Sequence, residues 1–198
     1  MNEGVWQAMV VLGLPGTGKS TMCRALEPMP TLVHVEAGEV LRRLDPDSPT
    51  GGRAQHYIDR GDLVPDDLTM QAWAEHVEKL IAEGEFAPGE QVLLLDGIPR
   101  TTGQGERLRQ RADVRGLIFL DVDDDAVLVR RLLKRGETSA RSDDTDEAVI
   151  RRRIALHRKE VLPLLEVYPE ASRRRVEAGR EPLAVLADVA GAASELLG

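Results

Sequence analysis

Cysteine, lysine and aromatic residues are scarce in this sequence, and each scarcity excludes a class of protein. The single cysteine, Cys23, cannot form an internal disulfide, and one thiol cannot build a cysteine-rich metal site. Aromatic residues make up 3% of the 198 residues, so we expect an aliphatic core and no base-stacking platform. A formal net charge of -8 argues against a dedicated DNA- or RNA-binding surface, which would need a basic footprint.

Membrane and export signals are missing as well. Charged residues interrupt every apolar run before it reaches the length of a membrane span. The first six residues include acidic Glu3 and no basic region ahead of an apolar stretch, so they do not resemble a signal peptide. We therefore expect a cytoplasmic protein. Only four of the 26 basic residues are lysines, so the other 22 are arginines, whose planar guanidinium groups suit phosphate binding.

Short apolar runs alternate with longer helical stretches along the whole chain. We predict strands at 5–12, 32–35, 92–95 and 117–120, with a weaker one at 175–177. Between and after them the spacing of apolar residues predicts helices at 18–27, 67–83, 101–111, 124–135, 146–168 and 183–197. This alternation is typical of an α/β fold with an open parallel sheet between layers of helices. Residues 1–198 are expected to form a single domain.

Two segments fit neither pattern. Residues 45–53 are dense in turn-forming residues, and residues 136–146 are polar and small without an apolar anchor. Both are predicted to be surface loops or flaps. Loops of this kind often carry function.

The segment Gly13–Ser20 matches the phosphate-loop pattern G-x-x-x-x-G-K-[ST] between a predicted strand and a predicted helix. Its glycines permit a tight loop whose amide N–H groups point at one anion, and the helix that follows adds its positive dipole end. Lys19 is expected to reach the terminal phosphates of a nucleotide, and Ser20 to offer its hydroxyl to Mg²⁺. Cys23, on the same helix, is expected to pack in the core.

A carboxylate at the end of another predicted strand adds to the chemistry of the phosphate loop. Residues 92–95 form an apolar run that ends in Asp96, and an Asp in this place in phosphate-loop proteins holds Mg²⁺, directly or through water. An acceptor phosphate is already nucleophilic, so transfer to it needs positioning and charge neutralisation without a general base.

Several ordered motifs resemble those of the nucleoside monophosphate kinases of the adenylate kinase family, in their short-lid form. The family's D-G-[FY]-P-R stands here as Asp96–Arg100, and its H-[IL]-S-[TA]-G-[DE]-[LM]-[LM]-R as His34–Arg42. Residues 61–65 resemble its G-x-[LI]-V-P segment, and residues 131–144 its short lid. The resemblance implies a phosphate-loop three-layer fold with a five-stranded parallel sheet. It also implies a small inserted NMP-binding subdomain at 36–66 and a short lid at 136–144.

The resemblance also implies roles for individual residues. The residues implied in catalysis are Lys19, Arg42, Arg100, Arg135, Arg141 and Arg153. Those implied in ATP binding are Gly13, Pro15, Gly16, Thr17, Gly18, Lys19, Ser20, Thr21, Arg131 and Ala178. Those implied in NMP binding are Ala37, Arg42, Leu63, Val64, Gly97, Arg100 and Gln104. Ser20 and Asp96 are implied as Mg²⁺ ligands, with ATP and a nucleoside monophosphate as partners. We expect no nucleic acid or membrane partner, and we expect the protein to be a monomer.

The sequence departs from the family pattern at a few positions. Ser20 stands where these kinases usually have glycine, and Ile98 where they have an aromatic residue. Arg153 is favoured over Arg152 as the arginine that closes the lid. Ala37 is typical of UMP/CMP kinases, whereas Gln104 resembles the glutamine with which adenylate kinases read adenine. We give Gln104 more weight and expect AMP to be the acceptor, with CMP or UMP as the alternative.

Two other functions fit parts of the sequence. A phosphate-loop kinase for a metabolite such as a sugar acid or shikimate would share the loop and the size, but it would not be expected to carry the segment 61–65 together with Gln104. A nucleotide-binding protein without catalysis would not need the lid arginines. The four histidines, His34, His56, His76 and His157, show no metal-ligand spacing, and we assign them no chemistry.

Overall fold

The computed structural model describes residues 5–58, 60, 62–138 and 144–198. Five strands form one parallel sheet in the order β2-β3-β1-β4-β5. The strands are β1 (Trp6–Gly13), β2 (Leu32–Glu36), β3 (Val92–Asp96), β4 (Ala112–Asp121) and β5 (Arg173–Glu177). The predicted five-stranded parallel sheet of an α/β phosphate-loop fold is therefore confirmed.

Helices cover both faces of this sheet. They are α1 (Lys19–Leu26), α2 (Ala37–Arg42), α3 (Pro49–Ile58), α4 (Asp66–Ala82), α5 (Thr102–Arg111), α6 (Asp125–Thr138), α7 (Glu147–Leu165) and α8 (Pro182–Leu197). A 3₁₀ turn at Glu170–Ser172 precedes β5. Within the described ranges, no helix has the length and apolar composition that crossing a membrane requires.

Alternate residues of the central strand serve two separate cores. Ala8, Val10 and Leu12 of β1 pack towards α4, α5 and the end of α7. Met9 and Val11 pack towards α1, α6 and α8. Because successive side chains of a strand point to opposite faces, a strand between two helical layers must be apolar at every position. This requirement explains the continuous apolar run that predicted β1.

The prediction that 45–53 is a loop is wrong in its second half, because α3 begins at Pro49. Ser48 caps this helix: its Oγ accepts a hydrogen bond from Gly51 N at 3.0 Å. Proline is favoured at the first helical position because its φ is already helical and its missing N–H would have no partner there. Gly51 is required because a Cβ would collide with the backbone of Asp45. The turn-forming residues therefore build a helix start.

The second predicted loop, 136–146, is wrong at its beginning, since α6 continues to Thr138. At its end Asp146 caps α7, accepting a hydrogen bond from Ala148 N at 2.7 Å. The middle of the predicted lid, 139–143, lies outside the described residues. Strand β4 begins five residues before the expected start, because Ala112–Val114 already pair with β1 where β5 does not yet flank the sheet. That early part is exposed at Asp113 and Arg115, which hides it from an apolar pattern.

Candidate active site

A cavity of about 370 Å³ opens outside the carboxyl ends of β1 and β3, which are neighbours in the sheet. The order of the strands reverses here, since β3 lies on one side of β1 and β4 on the other. Ligands of open α/β sheets bind at such a switch point. Its polar lining includes Thr17, Lys19, Ser20, Glu36, Arg42, Asp62, Asp96, Arg100, Arg131, Arg135, Arg153, His157 and Arg180.

The phosphate loop forms one wall of the cavity. Gly16 and Gly18 adopt left-handed backbone conformations with φ of +86° and +94°, which L-residues with a side chain rarely adopt. Thr17 Oγ1 donates to Leu14 O at 2.9 Å and ties the loop together. Helix α1 begins at Lys19, so its free N–H groups and its positive dipole end face the loop. These features make an anion-binding cradle.

Lys19 extends back over this loop. Its Nζ donates to Gly13 O at 2.8 Å and to Leu14 O at 3.0 Å. Burial, with smaller contributions from Arg100 and Arg135, outweighs the opposing charge of Asp96 and lowers the pKa of Lys19 to about 8. An ammonium group in such surroundings gains from a bound anion, which favours the charged form.

Asp96, at the end of β3, faces the loop from below. Ser20 Oγ donates to Asp96 Oδ2 at 2.5 Å. His34 Nε2 lies 3.9 Å from the same oxygen, beyond hydrogen-bonding distance. Burial alone would raise the pKa of Asp96, but these neighbours and Lys19 outweigh it, and the pKa is lowered. The carboxylate is thus ionised beside a hydroxyl, a pair of hard oxygen donors of the kind that Mg²⁺ takes.

Two arginines stand at the acceptor end of the cavity. Arg100 Nε donates to Gly97 O at 2.7 Å, and burial lowers the pKa of its guanidinium. Gly97 has a φ of +72°, and a Cβ there would lie 3.0 Å from Arg100 Nη2. Arg42 Nη2 donates to Glu36 Oε1 at 3.2 Å. The two guanidinium groups therefore line one space with their side chains already oriented by the protein.

Asp144 joins two further arginines at the other end. Its carboxylate, which is fully buried, accepts from Arg135 Nε and from Arg153 Nη2, both at 2.5 Å. Burial alone would raise the pKa of Asp144, but the hydrogen bonds from the two arginines outweigh it, and the pKa is lowered. Arg152 instead pairs with Asp62 at 3.0 Å at the surface. Of the two candidates for the lid-closing arginine, the structure brings Arg153 to the cavity lining.

Most of the residues singled out from the sequence meet at this cavity. Besides those described above, Pro15, Thr21, Val64, Arg131 and Ala178 line it. Arg131 Nη1 donates to Ala178 O at 2.9 Å, which holds its guanidinium at the far end of the phosphate loop. Arg141 lies outside the described residues.

Three of the predicted NMP-binding residues, Ala37, Leu63 and Gln104, are not among those that line the cavity within the described ranges. Gln104 is 1% exposed and bridges two neighbours: its Oε1 accepts from Arg100 N at 2.8 Å, and its Nε2 donates to Asp66 Oδ1 at 2.9 Å. The side chain therefore supports the loop that carries Arg100.

Sequence reasoning assigned no role to Glu36 or His157, which also line the cavity. Glu36 accepts from Arg24 at 3.0 Å as well as from Arg42. His157 is 8% exposed, and its Nδ1 is 2.9 Å from Arg153 O. Burial, with a further contribution from Arg100, lowers the pKa of His157 to about 3, so the ring is neutral. Its position one turn after Arg153, on the same helix face, is the signal that could have identified it.

Comparisons with known proteins agree on one family. The family model "Adenylate kinase" matches residues 11–173. "Adenylate kinase 1" of Nostoc sp. is 36% identical over 171 residues, covering 83% of this chain and 86% of the relative. "Adenylate kinase" of Micrococcus luteus is 36% identical over 82% of this chain and 78% of its own length. "UMP-CMP kinase" of Bos taurus is 31% identical over 88% of this chain and 90% of its own length.

Proposed function

Because the chain belongs to the adenylate kinase family, we propose that it transfers the γ-phosphoryl group of ATP to the phosphate of AMP, giving two ADP. It is a nucleoside monophosphate kinase, and the kinases of this family act on ATP and a nucleoside monophosphate. The observation that supports the proposal most is the meeting of the phosphate loop with four arginines, 42, 100, 135 and 153, around one cavity.

ATP is proposed to bind along the phosphate loop. The amide groups of the loop and Lys19 would take its β- and γ-phosphates, since N–H dipoles and a buried ammonium favour anions. The adenine would lie at the end of the loop where Arg131 and Ala178 line the cavity, next to Pro182 and Val185. A guanidinium plane and aliphatic side chains suit the face of a base.

The nucleoside monophosphate is proposed to bind at the opposite end, with its phosphate between Arg42 and Arg100. Arginine forks bind phosphate oxygens in pairs, and the bond from Arg100 Nε to Gly97 O leaves its two Nη groups available for this. The acceptor oxygen is already anionic, so no group need remove a proton from it. Arg135 and Arg153, held at Asp144, would neutralise the charge on the transferring group.

Mg²⁺ is the proposed cofactor, held by the Ser20 hydroxyl and, directly or through water, by Asp96. The two groups fit this ion because both offer hard oxygen atoms and lie 2.5 Å apart. Bound there, Mg²⁺ would supply charge neutralisation at the β- and γ-phosphates. The enzyme is further proposed to be cytoplasmic and to act as a monomer, and the assembly of the cavity within a single chain supports the monomer.

We propose AMP, and not a pyrimidine nucleotide, as the acceptor because of the relatives' names and because of Gln104. To read an adenine edge, the Gln104 amide would exchange its bond to Asp66 for one to the base. Ala37, together with the similarity to a UMP-CMP kinase, favours CMP or UMP as the second candidate.

A panel of acceptors tests the assignment. Purified protein with ATP and Mg²⁺ is assayed for ADP formation with AMP, CMP, UMP, dCMP or GMP, beside the variant Gln104→Asn. We expect AMP to give the highest kcat/KM, and the variant to lose AMP turnover more than CMP turnover. If CMP and UMP are turned over as fast as AMP or faster, the assignment of AMP as the preferred acceptor is wrong, and CMP or UMP takes its place. No ADP formation with any acceptor would refute the kinase assignment.

A further inference from the structure

Three metal-binding side chains meet directly beneath the phosphate loop. Cys23 on α1, His34 on β2 and Asp96 at the end of β3 each offer one ligand atom, and these atoms all lie within 4.8 Å of one another. Cys23 follows Ser20 by three residues, so both project from one face of α1 towards Asp96. We call these three residues the Cys23–His34–Asp96 cluster. Distant positions in the sequence form it, which explains why spacing alone did not predict it.

The cluster is closed to solvent. Cys23 is 1% exposed, and the side chains of His34 and Asp96 are 6% and 3% exposed. His34 Nε2 is fully buried and has no hydrogen-bond partner within the part of the chain that the structure describes. A buried polar atom without a partner destabilises the fold, because no hydrogen bond offsets its loss of hydration. Such an atom, facing a thiol and a carboxylate, points to a missing ligand.

The environment of His34 prepares its Nε2 as a donor atom. Its Nδ1 lies 2.6 Å from Glu27 Oε1, so in the neutral imidazole the proton resides on Nδ1 and the lone pair on Nε2. A carboxylate bound to the other ring nitrogen is the usual outer partner of a metal-binding histidine, because it fixes the tautomer and the ring orientation. Glu27 thus supplies the outer contact that such a site needs.

We propose that the Cys23–His34–Asp96 cluster is a binding site for Zn²⁺, distinct in chemistry from the proposed Mg²⁺ site although it shares Asp96. A thiolate, an imidazole and a carboxylate are the ligands that Zn²⁺ takes, whereas Mg²⁺ takes oxygen ligands only. On binding, the proton of the Cys23 thiol passes to solvent and a Zn–S bond forms. Three protein ligands leave a fourth position for water.

The geometry requires only small adjustments. With bonds of about 2.0–2.3 Å, the ligands of a tetrahedral zinc ion stand roughly 3.3–3.8 Å apart. The three donor atoms, now within 4.8 Å of one another, would move together by about 1 Å. Rotations of the Cys23 and Asp96 side chains can supply this, since the contact that Asp96 would have to adjust is its hydrogen bond from Ser20 Oγ.

Zinc at this place would inhibit the kinase. Zn²⁺ bound to Asp96 would neutralise this carboxylate and repel a second dication, so the proposed Mg²⁺ site would be weakened. This consequence rests on the proposed function, whereas the binding itself does not. Additional Mg²⁺ would relieve the inhibition only weakly, since it does not compete well for a thiolate and an imidazole.

Binding is tested with the wild-type protein, using Co²⁺ as a spectroscopic substitute and then Zn²⁺ by equilibrium dialysis. We expect one metal ion per chain, a thiolate-to-cobalt charge-transfer band, and loss of that band on addition of Zn²⁺. The variants Cys23→Ala and His34→Gln should each weaken Zn²⁺ binding at least about 100-fold, and Glu27→Gln about 10- to 100-fold. His76→Gln, a histidine on α4, is the matched control and should bind as wild type does.

A wild-type cobalt spectrum without a thiolate band would overturn the proposal, as would equal Zn²⁺ affinity in Cys23→Ala. The wild-type spectrum decides the question even if a variant fails to fold. Inhibition is measured separately, as the ratio of each protein's rate with Zn²⁺ to its own rate without it. We expect Cys23→Ala to resist inhibition. A thiolate band in a protein without kinase activity would refute the proposed function and leave the zinc site standing.

Discussion

Individual arginines carry the chemistry proposed here, and Arg100 is the one whose surroundings are most fully defined. Its guanidinium is partly buried and donates to Gly97 O, and its backbone N–H donates to Gln104 Oε1. A buried charge oriented before the substrate arrives contributes most when charge develops during transfer. Its side chain should therefore affect turnover far more than the binding of ATP, which is proposed to occur at the other end of the cavity.

For Arg100→Ala we predict a fall in kcat of about 10²- to 10³-fold, because one preorganised cationic donor is removed. The KM for ATP should change little, while the KM for the nucleoside monophosphate should rise. Steady-state kinetics with each substrate varied in turn would measure this. Arg107→Ala is the control, since Arg107 pairs with exposed Asp67 on the surface. Equal losses in the two variants would contradict the assignment of Arg100.

His157 provides a prediction about pH. Its pKa is lowered from 6.5 to about 3 by burial, so the unfolded state binds more protons than the native state between those pH values. The contribution of His157 to the free energy of unfolding is therefore fully present above about pH 6.5 and is lost as the pH falls towards 3. Wild type should lose stability more steeply over this range than His157→Gln, by on the order of a few kcal/mol. Urea unfolding at several pH values measures the difference, and parallel curves would refute it.

Helices α6 and α7 are linked by three ion pairs at two places that differ in burial. Asp144 is fully buried and holds Arg135 and Arg153, whereas Asp125 pairs with Arg158 at the surface. Removing one partner of a buried pair leaves an uncompensated charge, but an exposed pair contributes little. The connection of these helices to the cavity should therefore depend on Asp144.

Asp144→Asn should lower the free energy of unfolding by about 2–4 kcal/mol, and Asp125→Asn by less than about 1 kcal/mol. Asp144→Asn should also reduce kcat, because Arg135 and Arg153 lose the group that orients them. Chemical denaturation and steady-state assays of both variants provide the comparison. The interpretation fails if the surface variant is destabilised as much as the buried one.

Some strands and helices could be predicted from the sequence, and others could not. The strands β1 and β3 were predictable because burial on both faces leaves only apolar residues at Ala8–Leu12 and at Val92–Leu95. Helix α3 was not predicted, since Ser48, Pro49 and Gly51 favour a turn as well as a helix start, and only the position of Asp45 decides between them. The start of β4 was missed because its first residues are exposed on an unflanked part of the sheet.

Across the whole molecule, the parts of the site that are contiguous in sequence were predictable, and the contacts between separate elements were not. The phosphate loop and the Asp96–Arg100 segment are contiguous, so their motifs identify them in the sequence. The hydrogen bonds that Asp144 accepts from Arg135 and Arg153 join residues from separate elements, as does the Cys23–His34–Asp96 cluster. Such contacts arise from the fold, and no local pattern encodes them. Gln104 combines both cases. Its motif position identified it in the sequence, but the sequence did not predict its hydrogen bonds to Arg100 and Asp66.

In the proposed reaction one cavity brings the two phosphates together, so that AMP and not water accepts the phosphoryl group. The products formed from ATP and Mg²⁺ in the presence and in the absence of AMP can be quantified by ³¹P NMR, which gives the stoichiometry of the reaction. We predict two ADP for each ATP consumed when AMP is present, and almost no inorganic phosphate without it. Release of inorganic phosphate at the same rate with and without AMP would contradict the account.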